Sequence, residues 1–394
     1  MEQRLDEKKV RAEKHPVRAS TVEKFLKSIV GEDMHAKRIM SLSNAVLGAV
    51  HAAALAVHLI GQALAQARGL QAKHAVKQVD RLLSNNGIKP WKFFEYWVPF
   101  ILRGQREIVV ALDWTEFAKD DHATIVLSLV TTHGRATPLL WATTSRAQLA
   151  DRRNQWEDAL LERFREVLPA GIAVTVLADR GFGDTKLYDF LERLGFDYVI
   201  RFRSCINVTS LKGEKRAAGD WVSPSGRAVM LRDAAVTNED RPVAAVVCTQ
   251  AKGMKDVWCL ATSRADLPAS AIVKLYGRRF TIEENFRDTK DIRFGMGLSS
   301  TTVRDPERRD RLLLVSAIAN TLLSLLGAAG EAIGMDRMLK VNTAKKRTHS
   351  LFRQGSYYYG AIPNMREDDL ARLVESFASL LMKEPAMAYV LAEK

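Results

Sequence analysis

Two runs of strand-forming residues each end in an aspartate, and that pattern constrains this chain more than any other feature it has. Residues 107–114 read Glu-Ile-Val-Val-Ala-Leu-Asp-Trp, and residues 173–179 read Ala-Val-Thr-Val-Leu-Ala-Asp. Further strand-like runs occupy 122–131, 137–143 and 197–202, and Gly134 supplies a turn between the first two of these. Helical patterns fall at 152–167 and 184–194. Three strands, a helix, a strand, a helix and a strand predict an α/β unit with Asp113 and Asp179 at neighbouring strand ends. An aspartate after a strand also caps helices and makes turns, so each one alone has an ordinary structural explanation.

A third carboxylate comes from residues 276–290, Tyr-Gly-Arg-Arg-Phe-Thr-Ile-Glu-Glu-Asn-Phe-Arg-Asp-Thr-Lys, read here as one helix. With Tyr276 at 0°, Arg279, Glu283 and Lys290 fall within about 60° of it at 3.6 residues per turn. One stripe therefore carries a phenol, a guanidinium, a carboxylate and an ammonium. Leu275, Ile282 and Phe286 form an apolar stripe beside it. Such a face is also what a solvated helix with ordinary side-chain pairs looks like.

The spacing Tyr276, two residues, Arg279, three residues, Glu283, six residues, Lys290 resembles the Y-R-E-K signature of bacterial insertion-sequence DDE transposases of the IS-four type. The stretches Asp113-Trp114-Thr115 and Asp179-Arg180-Gly181-Phe182 resemble the family's two aspartate motifs, and 79–85 and 294–298 resemble further stretches of it. The resemblance implies a ribonuclease-H-like core interrupted by a β-rich insertion, with helical N- and C-terminal regions. It implies catalytic and metal-binding roles for Asp113, Asp179 and Glu283, and DNA-binding roles for Tyr276, Arg279, Lys290 and Trp258. Trp258 corresponds to a tryptophan that stacks on an extruded base. The implied cofactor is a pair of Mg²⁺ ions, with Mn²⁺ as a substitute. Three carboxylates suit a hard ion that takes oxygen ligands. Glu116, Asp184 and Glu284 are nearby acids outside the motif positions. The implied activity is cut-and-paste transposition by phosphodiester hydrolysis, hairpin formation and strand transfer. The implied partner is double-stranded DNA, as element ends and target, bound by a homodimer. A nuclease on the same core, or a catalytically silent DNA-binding protein, is the alternative.

The rest of the chain fits this expectation. A net charge of +13 in 394 residues favours a polyanionic partner. The three cysteines lack metal-ligand spacing, and the first 25 residues have no apolar leader-like core, pointing to a cytoplasmic, nucleoid-associated protein. The uncharged runs 39–67 and 312–330 approach membrane-spanning length but read as buried helices, so no membrane association is expected. Five regions follow: 1–103, a helical DNA-end-binding region; 104–202, the first segment of the catalytic domain; 203–268, the β-rich insertion; 269–330, the second segment of that domain, with the catalytic helix; and 331–394, a helical C-terminal region. Within the first region, a helix near 16–31, an apolar helix at 36–66 with a break at Gly61, and a basic helix at 70–83 are expected. Residues 85–87 are read as a left-handed stop.

Overall fold

The structure is a computed structural model and describes residues 15–31 and 33–382. The outer ends of the first and last regions, 1–14 and 383–394, lie outside the described residues. Among the described residues, five helices come first: α1 (Ala19–Val30), α2 (Ala36–Ala52), α3 (Val57–Arg68), α4 (Ala72–Leu83) and α5 (Pro90–Ile101). The stretch read as one helix at 36–66 is two, and Gly61 is not the break. The chain turns at Ala53, whose φ is 46°, and the two axes are bent by 96°. Gly61 sits inside α3 because α4 packs there so closely that a Cβ would lie 2.5 Å from Val76 Cα. The stop after α4 is also different. Ser84 caps it in the right-handed region, and Asn85 Oδ1 accepts from the Gly87 amide at 2.9 Å, so no left-handed residue is needed.

Strands β1 (Glu107–Phe117), β2 (His122–Val130) and β3 (Ala136–Ser145) follow, then α6 (Arg153–Val167), β4 (Ala173–Ala178), α7 (Thr185–Leu194) and β5 (Asp197–Phe202). Next come β6 (Asn207–Thr209), β7 (Lys215–Ala217), β8 (Val229–Val236), β9 (Arg241–Thr249) and β10 (Trp258–Thr262). All ten form one mixed sheet of order β3-β2-β1-β4-β5-β10-β9-β8-β6-β7. β1, β4 and β5 are mutually parallel neighbours, and the outer pairings are antiparallel. β10 pairs with β5 through Cys259 opposite Phe202, so the β-rich stretch continues the same sheet.

Side chains alternate across a sheet, which assigns each face. Ala111, Leu177, Val199, Val247 and Leu260 point to one side, where they pack with Ile272, Tyr276 and Ile282. Those three residues belong to α8 (Ala269–Gly277) and α9 (Thr281–Lys290). The opposite face, with Val110, Leu112, Val176 and Ala178, packs into the main core together with Leu160, Phe164 and Leu191 of α6 and α7. The chain ends in α10 (Pro306–Ala332), α11 (Leu351–Ala361) and α12 (Glu367–Met382). α10 is long and apolar enough to cross a membrane, but 78% of its apolar stretch is buried inside the fold. It crosses α11 at Gly327 and Gly355: a Cβ on Gly355 would come within 1.8 Å of Leu323 O, so only hydrogen fits.

Candidate active site

β1 and β4 pair in register, with Leu112 opposite Ala178. The next residue in each segment is an aspartate, so Asp113 and Asp179 lie side by side, but only Asp179 is at a strand end: Asp113 sits inside β1, which stays paired with β2 as far as Phe117. Both share parity with Ala111 and Leu177 and so face the side covered by α8 and α9. Asp179 also caps the turn that follows, its Oδ1 accepting from the Gly181 amide at 2.7 Å. Capping and clustering thus coexist in one residue.

The stretch 276–290 is not a single helix. α8 ends at Gly277, a 3-10 turn spans Arg278–Phe280, and α9 starts at Thr281. The tightened turn lets Ile272, Tyr276 and Ile282 bury on the same sheet face while changing the helix phase between them. Arg279 then drops into the gap between β1 and α9. It is 5% exposed. One of its terminal nitrogens donates to Asp113 Oδ2 at 3.1 Å and the other to Glu283 Oε1 at 2.8 Å. Its Nε is buried without an acceptor.

The electrostatics follow from this crowding. Burial raises the Asp113 carboxyl to about 6; Arg279 opposes the rise, and the negative charges of Asp179 and Glu283 add to it. Burial works against the Arg279 charge, but Tyr276, Asp113, Glu283 and Asp179 more than offset it and hold the guanidinium more firmly protonated than usual. Glu283 itself is half in solvent, at 53% side-chain exposure. The donor types suit a hard divalent cation. As the side chains stand, no three His, Cys, Asp or Glu groups among the described residues converge on one point, and Arg279 lies between Asp113 and Glu283.

The four residues expected to touch DNA have distinct settings. Tyr276 is buried, with its hydroxyl at Arg279 and its acidity lowered chiefly by burial. Lys290 is tied to β1 beyond Asp113, its Nζ donating to Thr115 Oγ1 at 2.9 Å and to Glu116 O at 2.8 Å. Burial and the nearby Arg309 charge lower its pKa. Trp258 is half-buried at the start of β10, edge-on to Tyr276 at 4.9 Å and tilted against Phe280 at 6.0 Å. The neighbouring acids are engaged elsewhere. Glu284 pairs with Arg135 and Arg287, and Asp184 caps α7 and accepts from Asn154.

Sequence reasoning missed the supports of this site. Arg135, in the β2–β3 turn, donates to Asp288 Oδ2 at 2.6 Å and fastens α9 from behind. Trp114 donates to Glu157 Oε1 at 2.8 Å, with the Arg153 guanidinium over its ring. Phe117 is sandwiched between Lys290 and Arg309, whose partner Asp120 is buried with it. Each pairing joins residues far apart in the chain, and no local pattern announces it.

The family described as "Transposase DDE domain" matches residues 104–322, which span β1 to the middle of α10. No curated protein matches the chain.

Proposed function

We propose, from the premise that this chain belongs to the transposase DDE-domain family, that it is a cut-and-paste transposase of the IS-four type acting on the ends of an insertion sequence. The observation that supports this reading is the Arg279 guanidinium bonded to both Asp113 and Glu283, with Asp179 on the neighbouring segment close enough for its charge to act on Asp113. The strand order β3-β2-β1-β4-β5, with antiparallel outer and parallel inner pairs, supports a ribonuclease-H-like core over 104–202 and 269–330, with 203–268 as the insertion. Residues 1–103 are proposed to bind element ends, and 331–394 form the C-terminal region.

Asp113, Asp179 and Glu283 would hold two Mg²⁺ ions, with Mn²⁺ as a substitute. Bound there, the metal ions would supply an activated oxygen nucleophile and neutralise charge on the leaving oxygen. Before DNA binds, Arg279 occupies the Asp113 and Glu283 oxygens that would face a cation, and its charge favours the ionised form of Asp113. Two of its five N–H donors serve the carboxylates, and a second N–H on each terminal nitrogen would serve a phosphate oxygen. Lys290 keeps one ammonium proton beyond the two given to β1, and that proton is available to the DNA backbone. The Tyr276 hydroxyl orients Arg279, and Trp258 offers an edge-supported ring to a base taken out of the stack. Hairpin formation and strand transfer complete the proposed reaction, with a homodimer bridging paired ends.

The deciding experiment is Mg²⁺-dependent cleavage of duplexes carrying the element's own ends, comparing wild type with Glu283→Gln and measuring DNA binding by both. The expected result is binding by both and cleavage by wild type alone. Binding without cleavage by either protein would leave a silent DNA-binding protein. Equal cleavage by both would remove Glu283 from the carboxylate set.

A further inference from the structure

α9 leads into a loop, residues 291–297, that is far better fixed than its surface position requires. Asp291 Oδ1 accepts from the amides of Arg293 and Phe294, each at 2.7 Å. Asp291 O accepts from Gly295 at 3.1 Å and Gly297 at 3.0 Å, and Asp288 O accepts from Met296 at 2.8 Å. Gly295 is obligatory, because a Cβ there would lie 2.3 Å from Asp288 O and 2.4 Å from Arg287 O. The buried Met296 closes the base of the loop, and its carbonyl accepts from the Leu55 amide at 2.9 Å.

This rigid platform holds two large apolar side chains out in water: Ile292 is 72% exposed and Phe294 52% exposed. Single exposed apolar residues are ordinary, but two within three positions on an over-determined turn are not what surface loops usually carry. Cations flank them. The Arg287 guanidinium lies 6.0 Å from the Phe294 ring centre, and Arg293 is exposed between the two apolar residues. The loop also has a defined place along the site. Lys290, immediately before it, is anchored on Thr115, two residues beyond Asp113 and hence about 7 Å farther along the strand. Consecutive nucleotides of one strand advance about 3.4 Å in a duplex. A backbone whose phosphate sits at Asp113 therefore passes the loop within a few base pairs.

We propose that the 291–297 loop is a duplex-DNA wedge: Phe294, assisted by Ile292, inserts at a base step beside the scissile phosphate, and Arg287 and Arg293 hold the flanking phosphates. The proposal rests on the transposase reading and adds to it a contact outside the motif positions. Its chemistry is that of apolar wedges that unstack a step from the minor groove, with arginines securing the backbone. The rigidity of the loop matters, because a tip that moved would yield instead of prising neighbouring bases apart. A second copy of the chain is the competing occupant of an exposed apolar tip, and the charge of the flanking arginines argues against it: two such tips repel.

The test uses the full chain without metal and duplexes carrying the element's own ends, with 2-aminopurine placed in turn at each of the terminal base pairs. Wild type is expected to raise the emission at one or two adjacent positions. Phe294→Ala is expected to abolish that rise and to weaken binding roughly fivefold or more, the range found when one base-stacking aromatic is removed. Phe294→Trp is expected to restore the signal. Since Phe294 is exposed, its thermal transition should be unchanged, which separates the effect from misfolding. An unchanged emission rise in Phe294→Ala with DNA still bound overturns the proposal. So does a shift from dimer to monomer in DNA-free Phe294→Ala by sedimentation, which assigns the tip to a second copy. Failure of wild type to bind the duplexes overturns the transposase reading as well, and is distinguishable from both.

Discussion

Replacing Arg279 by methionine should tighten divalent-cation binding by the DNA-free protein, the reverse of what removing an ordinary site residue does. The guanidinium spends two hydrogen bonds on carboxylates that a metal ion would need, at 3.1 Å to Asp113 and 2.8 Å to Glu283. The Glu283 bond is half in solvent, so it contributes no more than about 1 kcal/mol. The Asp113 bond is enclosed, and a hydrogen bond to a charged partner there is worth roughly 1.5–3 kcal/mol. An incoming cation must displace about 2–3 kcal/mol of interaction, or roughly 30- to 150-fold in affinity. One effect opposes this. Asp113 already titrates near 6, and loss of the arginine lets burial raise it further. At pH 8 that costs only a fraction of a decade, leaving a net gain of roughly tenfold or more. The Arg279 guanidinium lies over the Phe280 ring at 4.9 Å, and a methionine thioether can take that place against the ring, so the fold should tolerate the change. Free Mn²⁺ is read by electron paramagnetic resonance during titration of DNA-free protein at pH 8. Glu283→Gln serves as the control that should bind more weakly. Unchanged or weaker Mn²⁺ binding by Arg279→Met would refute the claim that this arginine stands between the carboxylates and the metal.

Three further outcomes follow from features away from the motif. Arg309→Met strands the Asp120 carboxylate in the core and should cost about 3–5 kcal/mol in a denaturant melt, most of it recovered when Asp120→Asn is added. Gly355→Ala should lose roughly 2–3 kcal/mol, because its methyl meets the Leu323 carbonyl, whereas Gly360→Ala on the same helix, with nothing within 4 Å, should gain up to about 1 kcal/mol. Burial raises the Asp310 carboxyl to about 7 from an unfolded value near 3.8, so its folded form is favoured when protonated and stability is lost as pH rises through that window. Asp310→Asn should therefore match wild type near pH 4 in thermal melts and exceed it increasingly up to pH 7 and above; a constant offset across that range would contradict the titration.

The α/β character of the core was legible because it depends on short-range signals. Runs of strand formers lead into Asp113 and Asp179, although β1 continues past Asp113 to Phe117, and in-register pairing of adjacent parallel strands does the rest. The pairing of Arg279 with Glu283 at 2.8 Å was legible because their spacing is a local helical pattern. The geometry around it was not legible: the 3-10 turn at Arg278–Phe280 depends on how Ile272 and Ile282 seat on the sheet, which is a tertiary demand. The same holds for the turn at Ala53, where packing of α3 on α4 overrides the preference of Gly61 to end a helix. Lys290 shows the limit most plainly. Its position in the motif suggested a DNA contact, while two of its three protons are committed to β1 by residues more than a hundred positions away.

The position of β10 between β5 and β9 bears on how the chain acquires its chemistry. The strands carrying Asp113 and Asp179 are neighbours and can pair as soon as β4 is complete. β5 pairs with β4 on one edge, but its other edge stays open until β10, some 60 residues later, and long-range closures of this kind are the slow steps of folding. α8 and α9 dock on a surface that includes Leu260 of β10 and Val247 of β9 as well as Ala111, Leu177 and Val199, so their seat is incomplete until that closure is made. Glu283 thus comes to Arg279 and Asp113 last. A chain still emerging from the ribosome, or one cut short within the β-rich stretch, would hold Asp113 and Asp179 on adjacent segments with neither Arg279 nor Glu283 in place, so the bridge that Arg279 makes is a late product of assembly.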